Sequence, residues 1–247
     1  MIDFHTHILP NLDDGAKDVQ TSLAMLAMDK ADGVSEVVCT PHYYGKKRSL
    51  EEFLTLRARA FAELGDTEIP LRLGAEVYMT GVNDLSDDAL ISLAIEGTKC
   101  VLLELPFHGD WKNSLLQRLT TFFEDTGYTP VIAHVERYEY VRKNPKILTT
   151  LVQSGCLLQV NTSAFIEKDS ERFVLTLLKR GMVHCIGTDT HDTQKRAPDY
   201  AKAKARVYKA GLEKQWNEAQ AVAKKLLAGE QPTVQCAVVR KIFGVYF

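Results

Sequence analysis

The chain has 247 residues, 45% hydrophobic and 25% charged, and 30 basic against 32 acidic side chains leave a formal charge of −2. Those fractions belong to a folded globular protein and exclude disordered, collagen-like and coiled-coil chains. A near-neutral balance gives no electrostatic basis for nucleic acid as a partner. No apolar run approaches the roughly 18 residues of a membrane helix, so no membrane insertion is expected.

Short β-branched or Leu-rich runs predict strands over residues 2–5, 36–40, 71–76, 101–105, 130–134, 157–161 and 183–188. Between them, helical patterns run over 19–31, 50–64, 84–95, 113–126, 145–153 and 170–180, and many end at a glycine that relieves left-handed backbone strain. Later helices are expected near 199–210 and 213–227, with a last helix or strand through 247. Strand–helix alternation with short connections implies a parallel sheet, rolled into a barrel or left as an open doubly wound sheet. No linker, low-complexity segment or internal repeat beyond the βα period interrupts it, so residues 1–247 are expected to form a single domain.

The opening Met-Ile-Asp-Phe-His-Thr-His carries a carboxylate and two imidazoles where a secretion signal has basic and then apolar residues. Five cysteines form an odd set with no Cys-x-x-Cys spacing, and four lie in or beside strand-like runs, which suits reduced, buried thiols. A cytoplasmic location is expected.

The ionisable residues are placed unevenly. His5 and His7 end the first predicted strand and Asp14 follows; His42 ends the second, Glu76 the third, and Glu104 lies in the fourth. His134 ends the fifth, and Asp189 and His191 follow the seventh, while the sixth ends in Asn161. Taken singly, each has a bland explanation: a histidine near a strand end is commonly a satisfied structural side chain, and Asp-Gly is commonly a turn. Jointly, the strand C-termini of a βα barrel share one face, so these nine side chains meet in one cleft. Gathering four carboxylates there without cations would cost several kcal/mol each. A set of imidazoles and carboxylates without cysteine disfavours a structural thiolate zinc site and suits Mn²⁺, Fe²⁺, Co²⁺ or catalytic Zn²⁺. Nine ligands divide among two or three divalent ions. Three ions against four carboxylates leave a charge of about +2, which attracts a phosphate dianion, and such ions make a nucleophile of bound water. Arg137, three residues past His134, and Arg196, five past His191, come from loops on the same face. A guanidinium fork matches phosphate oxygens, although either could equally be a surface arginine.

At these residues the sequence resembles the PHP (polymerase and histidinol phosphatase) superfamily, and more closely the bacterial manganese-dependent tyrosine-protein phosphatases of capsular and exopolysaccharide operons. The segments IDFHTHILPNLDDGAKD, TPHYYG, GAEVY, LLELPF, AHVERY, QVNTSAF and GTDTHD carry the likeness through about residue 200; the C-terminal part matches less distinctively. The resemblance implies a distorted seven-stranded (β/α)7 TIM-like barrel. It also implies a trinuclear centre held by His5, His7, Asp14, His42, Glu76, Glu104, His134, Asp189 and His191, with Glu104 bridging two ions, Mn²⁺ as the metal, and Arg137 and Arg196 holding phosphate. The implied substrate is phosphotyrosine on the tail of a bacterial tyrosine kinase; a small-molecule phosphatase such as a histidinol-phosphate phosphatase is the alternative. A PHP phosphodiesterase lacks a basic track here.

A cysteine-based tyrosine phosphatase is excluded by the residues themselves. It needs an arginine six positions after the nucleophile, whereas that step from Cys39, Cys100, Cys156, Cys185 and Cys236 reaches Gly45, Pro106, Thr162, His191 and Ile242. Tyr43, Tyr44 and Phe107 are placed either to line a substrate pocket or to pack the barrel mouth.

Overall fold

Buried β-branched segments flanked by amphipathic ones fold into parallel strands with helices on the outside. The computed structural model describes residues 1–80, 85–242 and 244–246. In chain order the elements are β1 (Ile2–Thr6), α1 (Val19–Ala31), β2 (Glu36–Cys39), β3 (His42–Tyr43), α2 (Leu50–Leu64), β4 (Leu71–Leu73), β5 (Glu76–Tyr78), α3 (Asp87–Ser92), β6 (Cys100–Glu104), α4 (Asn113–Thr126) and β7 (Thr129–Ile132). There follow α5 (Glu139–Lys143), α6 (Ile147–Gln153), β8 (Leu157–Asn161), α7 (Glu171–Lys179), β9 (Cys185–Gly187), α8 (Tyr200–Lys209), α9 (Glu213–Leu227) and a terminal hairpin, β10 (Lys241–Ile242) with β11 (Val245–Tyr246).

The parallel strands form an α/β fold with a curled sheet. One six-stranded sheet has the order β3-β5-β6-β7-β8-β9 and a three-stranded one the order β1-β2-β4. A parallel bridge, Thr6 to Thr190, links β1 to the segment that follows β9, reinforced by Asp189 N–H donating to His5 O at 2.8 Å and His7 N–H to Thr190 O at 3.0 Å. Gly187 is required there: a Cβ on it would stand 2.5 Å from His5 Cβ and 2.7 Å from His5 N.

Two predicted strands are each interrupted. The segment expected over 36–40 is β2, and His42 lies beyond Thr40 and Pro41 on the separate β3, where proline has no N–H for the ladder. The segment expected over 71–76 breaks at Gly74 and Ala75 into β4 and β5. The helix expected over 84–95 is α3, over Asp87–Ser92; Asp84 lies outside the described residues. Tyr138 caps a short helix, α5, for which the local sequence pattern gives no signal, and near the chain end β10 and β11 pair antiparallel.

A large core lies largely between strands and helices. A smaller cluster draws Ile2 and Phe4 from β1, Val38 from β2, Leu102 from β6, Val131 from β7, Leu157 from β8 and Cys185 from β9, against Leu226 and Leu227 of α9. These strands are buried on both sides, as parallel strands require.

Candidate metal centre

The strand ends deliver the site. His5 lies in β1 with His7 just after it, His42 opens β3, Glu76 opens β5, Glu104 closes β6, His134 follows β7, and Asp189 and His191 follow β9. Between Asp3 and Thr6 the pairing of β1 with β2 slips, with three steps on β1 facing two on β2. Such an irregularity re-aims side chains. Asp3 turns to Thr188, accepting its N–H at 2.9 Å and its hydroxyl at 2.6 Å, while His5 faces His7. The loop after His7 folds back on itself: Ala16 N–H donates to His7 O at 3.0 Å, and a Cβ on Gly15 would stand 2.0 Å from that oxygen, so only glycine fits.

Three sets of donors converge, each within 4.8 Å: His7, Asp14, His42 and His191; His5, His7 and Asp189; and His42, Glu76 and Glu104. His134 joins through Glu76, with Nε2 2.7 Å from Oε1. All nine side chains singled out from the sequence therefore meet on one face. Glu76 holds the middle: its Oε2 lies 3.3 Å from His5 Nε2, 3.3 Å from His7 Nε2 and 2.9 Å from His42 Nδ1.

The arrangement fits divalent ions. His5 Nε2 and His7 Nε2 face each other at 3.1 Å, the separation of about 3 Å expected for two nitrogens bound to one ion at right angles with bonds of about 2.1 Å. Glu76 Oε2 and His42 Nδ1 lie close, and His191 Nε2 lies 3.4 Å from Asp14 Oδ1, but none of these contacts is aligned as a hydrogen bond; with His134 Nδ1 these buried atoms lack the partner that buried polar atoms demand. Burial works against the Glu76 carboxylate, but His5 and His134 hold its pKa well below the usual range. Glu104 is pushed up to about 7, first by burial and then by the charge of Glu76. Burial lowers His7, yet Asp13, Asp189 and Glu76 more than reverse it and raise it well above its ordinary value. The carboxylates thus draw protons onto His5 and His7, burial holds His134 and His191 below their ordinary value, and a cation satisfies the same field.

Partners behind these imidazoles set their tautomers. His7 Nδ1–H donates to Asp13 Oδ2 at 2.7 Å, His5 Nδ1–H to Gln159 Oε1 at 3.2 Å, and His191 Nδ1–H to Asp189 O at 2.9 Å. Each leaves Nε2 with its lone pair toward the cluster. Gln159 Oε1 also accepts His134 N–H at 2.6 Å, and its amide donates to Asn161 Oδ1 at 3.0 Å. Asn161 in turn donates to Asp189 Oδ2 at 2.9 Å. One chain of bonds therefore steadies His5, His134 and Asp189. His134 and Asp189 have φ of 31° and 54°, left-handed conformations that cost non-glycine residues free energy and cluster at functional sites.

Asp13 and Gln159 were not singled out from the sequence. Asp13 is masked by its neighbour in Asp13-Asp14-Gly15, but Gln159 left a trace: a polar residue in the middle of a fully buried strand needs a partner.

Arg137 Nη1 lies 3.0 Å and Arg196 Nη2 2.7 Å from Asp189 Oδ2. Both guanidinia thus converge beside the donor sets from one side while staying about 40% exposed, at 43% and 39%. They line a cavity of about 290 Å³ with Asn161, Thr188 and the buried Glu136, whose carboxyl is pushed up to about 8 by burial. Arg137 also covers Phe107 at 4.9 Å, and Phe107 stacks on His134 at 5.4 Å. Tyr43 is buried against Phe53 and is packing; Tyr44 stands beside His42 at 5.1 Å.

Residues 1–226 match the family described as "Capsular polysaccharide synthesis, CpsB/CapC". The chain belongs to the CpsB/CapC family. It is similar to the tyrosine-protein phosphatase YwqE of Bacillus subtilis, 32% identical over 209 residues and 79% of each chain. It is also similar to the tyrosine-protein phosphatase CpsB of Streptococcus pneumoniae, 30% identical over 80% of this chain and 86% of that one. Among solved structures it resembles that reported for YwqE and CpsB, described as unique metal-dependent tyrosine phosphatases, with a TM-score of 0.81 and 27% identity over 98% of this chain and all of that one. A lactonase from Listeria monocytogenes aligns with a TM-score of 0.54 and 12% identity over 94% of this chain and 95% of that one, a likeness of fold alone. The CpsB/CapC chain thus carries these nine side chains on a fold shared with that lactonase.

Proposed function

We propose that this chain is a metal-dependent protein-tyrosine phosphatase that hydrolyses phosphotyrosine on a protein of capsule or exopolysaccharide synthesis, the tail of a bacterial tyrosine kinase. The observation that carries this is the convergence of three donor sets with two arginines on Asp189, in a chain whose relatives are named tyrosine-protein phosphatases. Those names do not favour the small-molecule alternative.

His5, His7, Asp14, His42, Glu76, Glu104, His134, Asp189 and His191 would hold two to three divalent ions, and Mn²⁺ suits their mixed imidazole and carboxylate donors. Bound there, the ions supply Lewis-acid charge to phosphoryl oxygens and lower the pKa of water. Arg137 and Arg196 bind the phosphate and hold it in line, and their planar forks neutralise charge that grows on its oxygens. Asp13 and Gln159 keep His7 and His5 in the tautomer that presents Nε2. Asn161 holds the other carboxylate oxygen of Asp189 in place.

We further propose that the strands form one ring of seven, with β2 and β3 as one interrupted strand and β4 and β5 as another. The Thr6–Thr190 bridge and the pairing of both halves across each break support this closure. Residues 1–247 then form one domain, since the main core runs from Ile8 to Val239. Four buried free thiols, Cys39, Cys100, Cys156 and Cys185, suit a reducing cytoplasm. Among the described residues no helix is long and apolar enough to cross a membrane.

Turnover of a phosphotyrosine peptide, histidinol phosphate and a phosphodiester, each before and after chelation, tests the activity. Chelator-sensitive hydrolysis of the peptide far above the other two is expected; preference for histidinol phosphate would overturn the assignment.

A further inference from the structure

The loop after His42 carries Lys46-Lys47-Arg48, a basic run to which the chemistry above gives no part. Arg48 is engaged, with Nη1 3.5 Å from Leu12 O and Nε 3.7 Å from Glu52 Oε1. Lys46 and Lys47 are exposed, and among the described residues neither has a carboxylate within ion-pair distance. Exposed lysines usually do no more than face water. Two features set these apart.

The first is position. A cavity of about 350 Å³ opens from Asp14 and His42 of the metal centre toward Tyr44, Lys47 and Arg48. A second, of about 280 Å³, continues past Tyr44 and Lys47 to Lys46, Tyr78 and Leu85. Sharing Tyr44 and Lys47, the two make one trough leading out of the site. The second feature is lining. Tyr44 packs on Tyr78 at 5.6 Å and lies under Lys47 Nζ at 4.4 Å, which gives an aromatic floor beneath an ammonium group. The carboxylates at its inner end, Asp13 and Asp14, are committed to His7 and to the first donor set. In the cavity beside Arg137 and Arg196, by contrast, Arg142 and Lys195 stand among Glu167, Asp189 and Asp199, so both signs line it.

We propose that this trough receives the polypeptide flanking the phosphotyrosine and selects acidic residues there; the proposal rests on the phosphatase reading and adds a substrate preference to it. With the phosphate at the metal centre, the adjoining residues of a peptide pass Tyr44, and an aspartate or glutamate among them meets Lys46 and Lys47. Charges on such a rim act through steering and through weak, salt-screened pairing.

The test compares free phosphotyrosine, a phosphotyrosine peptide with Asp and Glu on both sides, and the matched peptide with Asn and Gln, using the metal-loaded protein. At low ionic strength kcat/KM for the acidic peptide should exceed that for the neutral one by about three- to tenfold. The ratio should fall toward one in about 1 M salt, where the screening length is only ~3 Å. It should fall likewise in the Lys46→Gln/Lys47→Gln double variant. Turnover of free phosphotyrosine with a peptide ratio of one, or a ratio that the double variant leaves unchanged, overturns the trough and leaves the phosphatase standing. Absence of turnover with all three substrates overturns both.

Discussion

At the scale of single residues, the arginines separate catalysis from mere metal binding. Arg137 and Arg196 contact Asp189, but no donor set needs their charge. Replacing either by Ala should leave metal content intact and lower kcat/KM for phosphotyrosine by roughly 10²–10³, the loss typical of a preorganised charge-stabilising donor. Lys should restore only part, because a point charge lacks the planar fork. Product inhibition by phosphate should weaken in parallel, and an unchanged phosphate Ki in both variants would contradict the clamp. Asp13 makes a different demand. Its Oδ2 accepts from His7 Nδ1–H and, at 2.8 Å, from His42 N–H, so Asp13→Asn disturbs two ligands without removing one. Metal affinity should fall about 10- to 100-fold, measured by calorimetric titration of the metal-free protein with Mn²⁺; affinity equal to that of the unsubstituted chain would show that Asp13 does not orient His7.

Among the elements, the strands carried a clear signature and their interruptions did not. The alternation of apolar runs with amphipathic segments locates β6, β7 and β8 closely, because a strand buried on both faces is apolar over most of its length. The breaks at Thr40-Pro41 and Gly74-Ala75 depend on how one strand curls over the next, and α5 on how the loop after His134 packs, so local patterning carries neither. The convergence of the nine side chains was legible because nearly every strand end repeats the same chemistry. The left-handed backbone at His134 and Asp189 and the relay through Gln159 were not, since they arise only when distant strands close on one another. The start of β9 offers a test away from the metal centre. His184 is buried, its Nδ1 accepts Leu158 N–H at 2.9 Å, and burial pushes its pKa down to about 4. An unfolded chain keeps the ordinary value near 6.5, so between those pH values it binds a proton that the folded chain refuses. The stability is full above about pH 6.5 and falls as pH drops toward 4, by up to roughly 3 kcal/mol from this residue. In chemical denaturation across that range, His184→Gln should show a shallower loss than the unsubstituted protein; parallel curves would mean that His184 titrates normally in the fold.

For the whole molecule, the fold and the site are one construction. Side chains from residue 5 to residue 191 meet because parallel strands share a C-terminal face, and the β1–β9 contact brings His5 and His7 against Asp189. Helix α9 packs on the small cluster that lines several of the same strands, which accounts for part of the chain where sequence likeness was least distinctive. The central claim is that the nine donors hold ions on which turnover depends. Its most direct test is elemental analysis of the protein alongside its phosphotyrosine activity as the chelated form is reloaded with Mn²⁺. Three donor sets predict activity that rises with bound metal and saturates at two to three ions per chain. Full activity with less than one ion per chain would contradict the account.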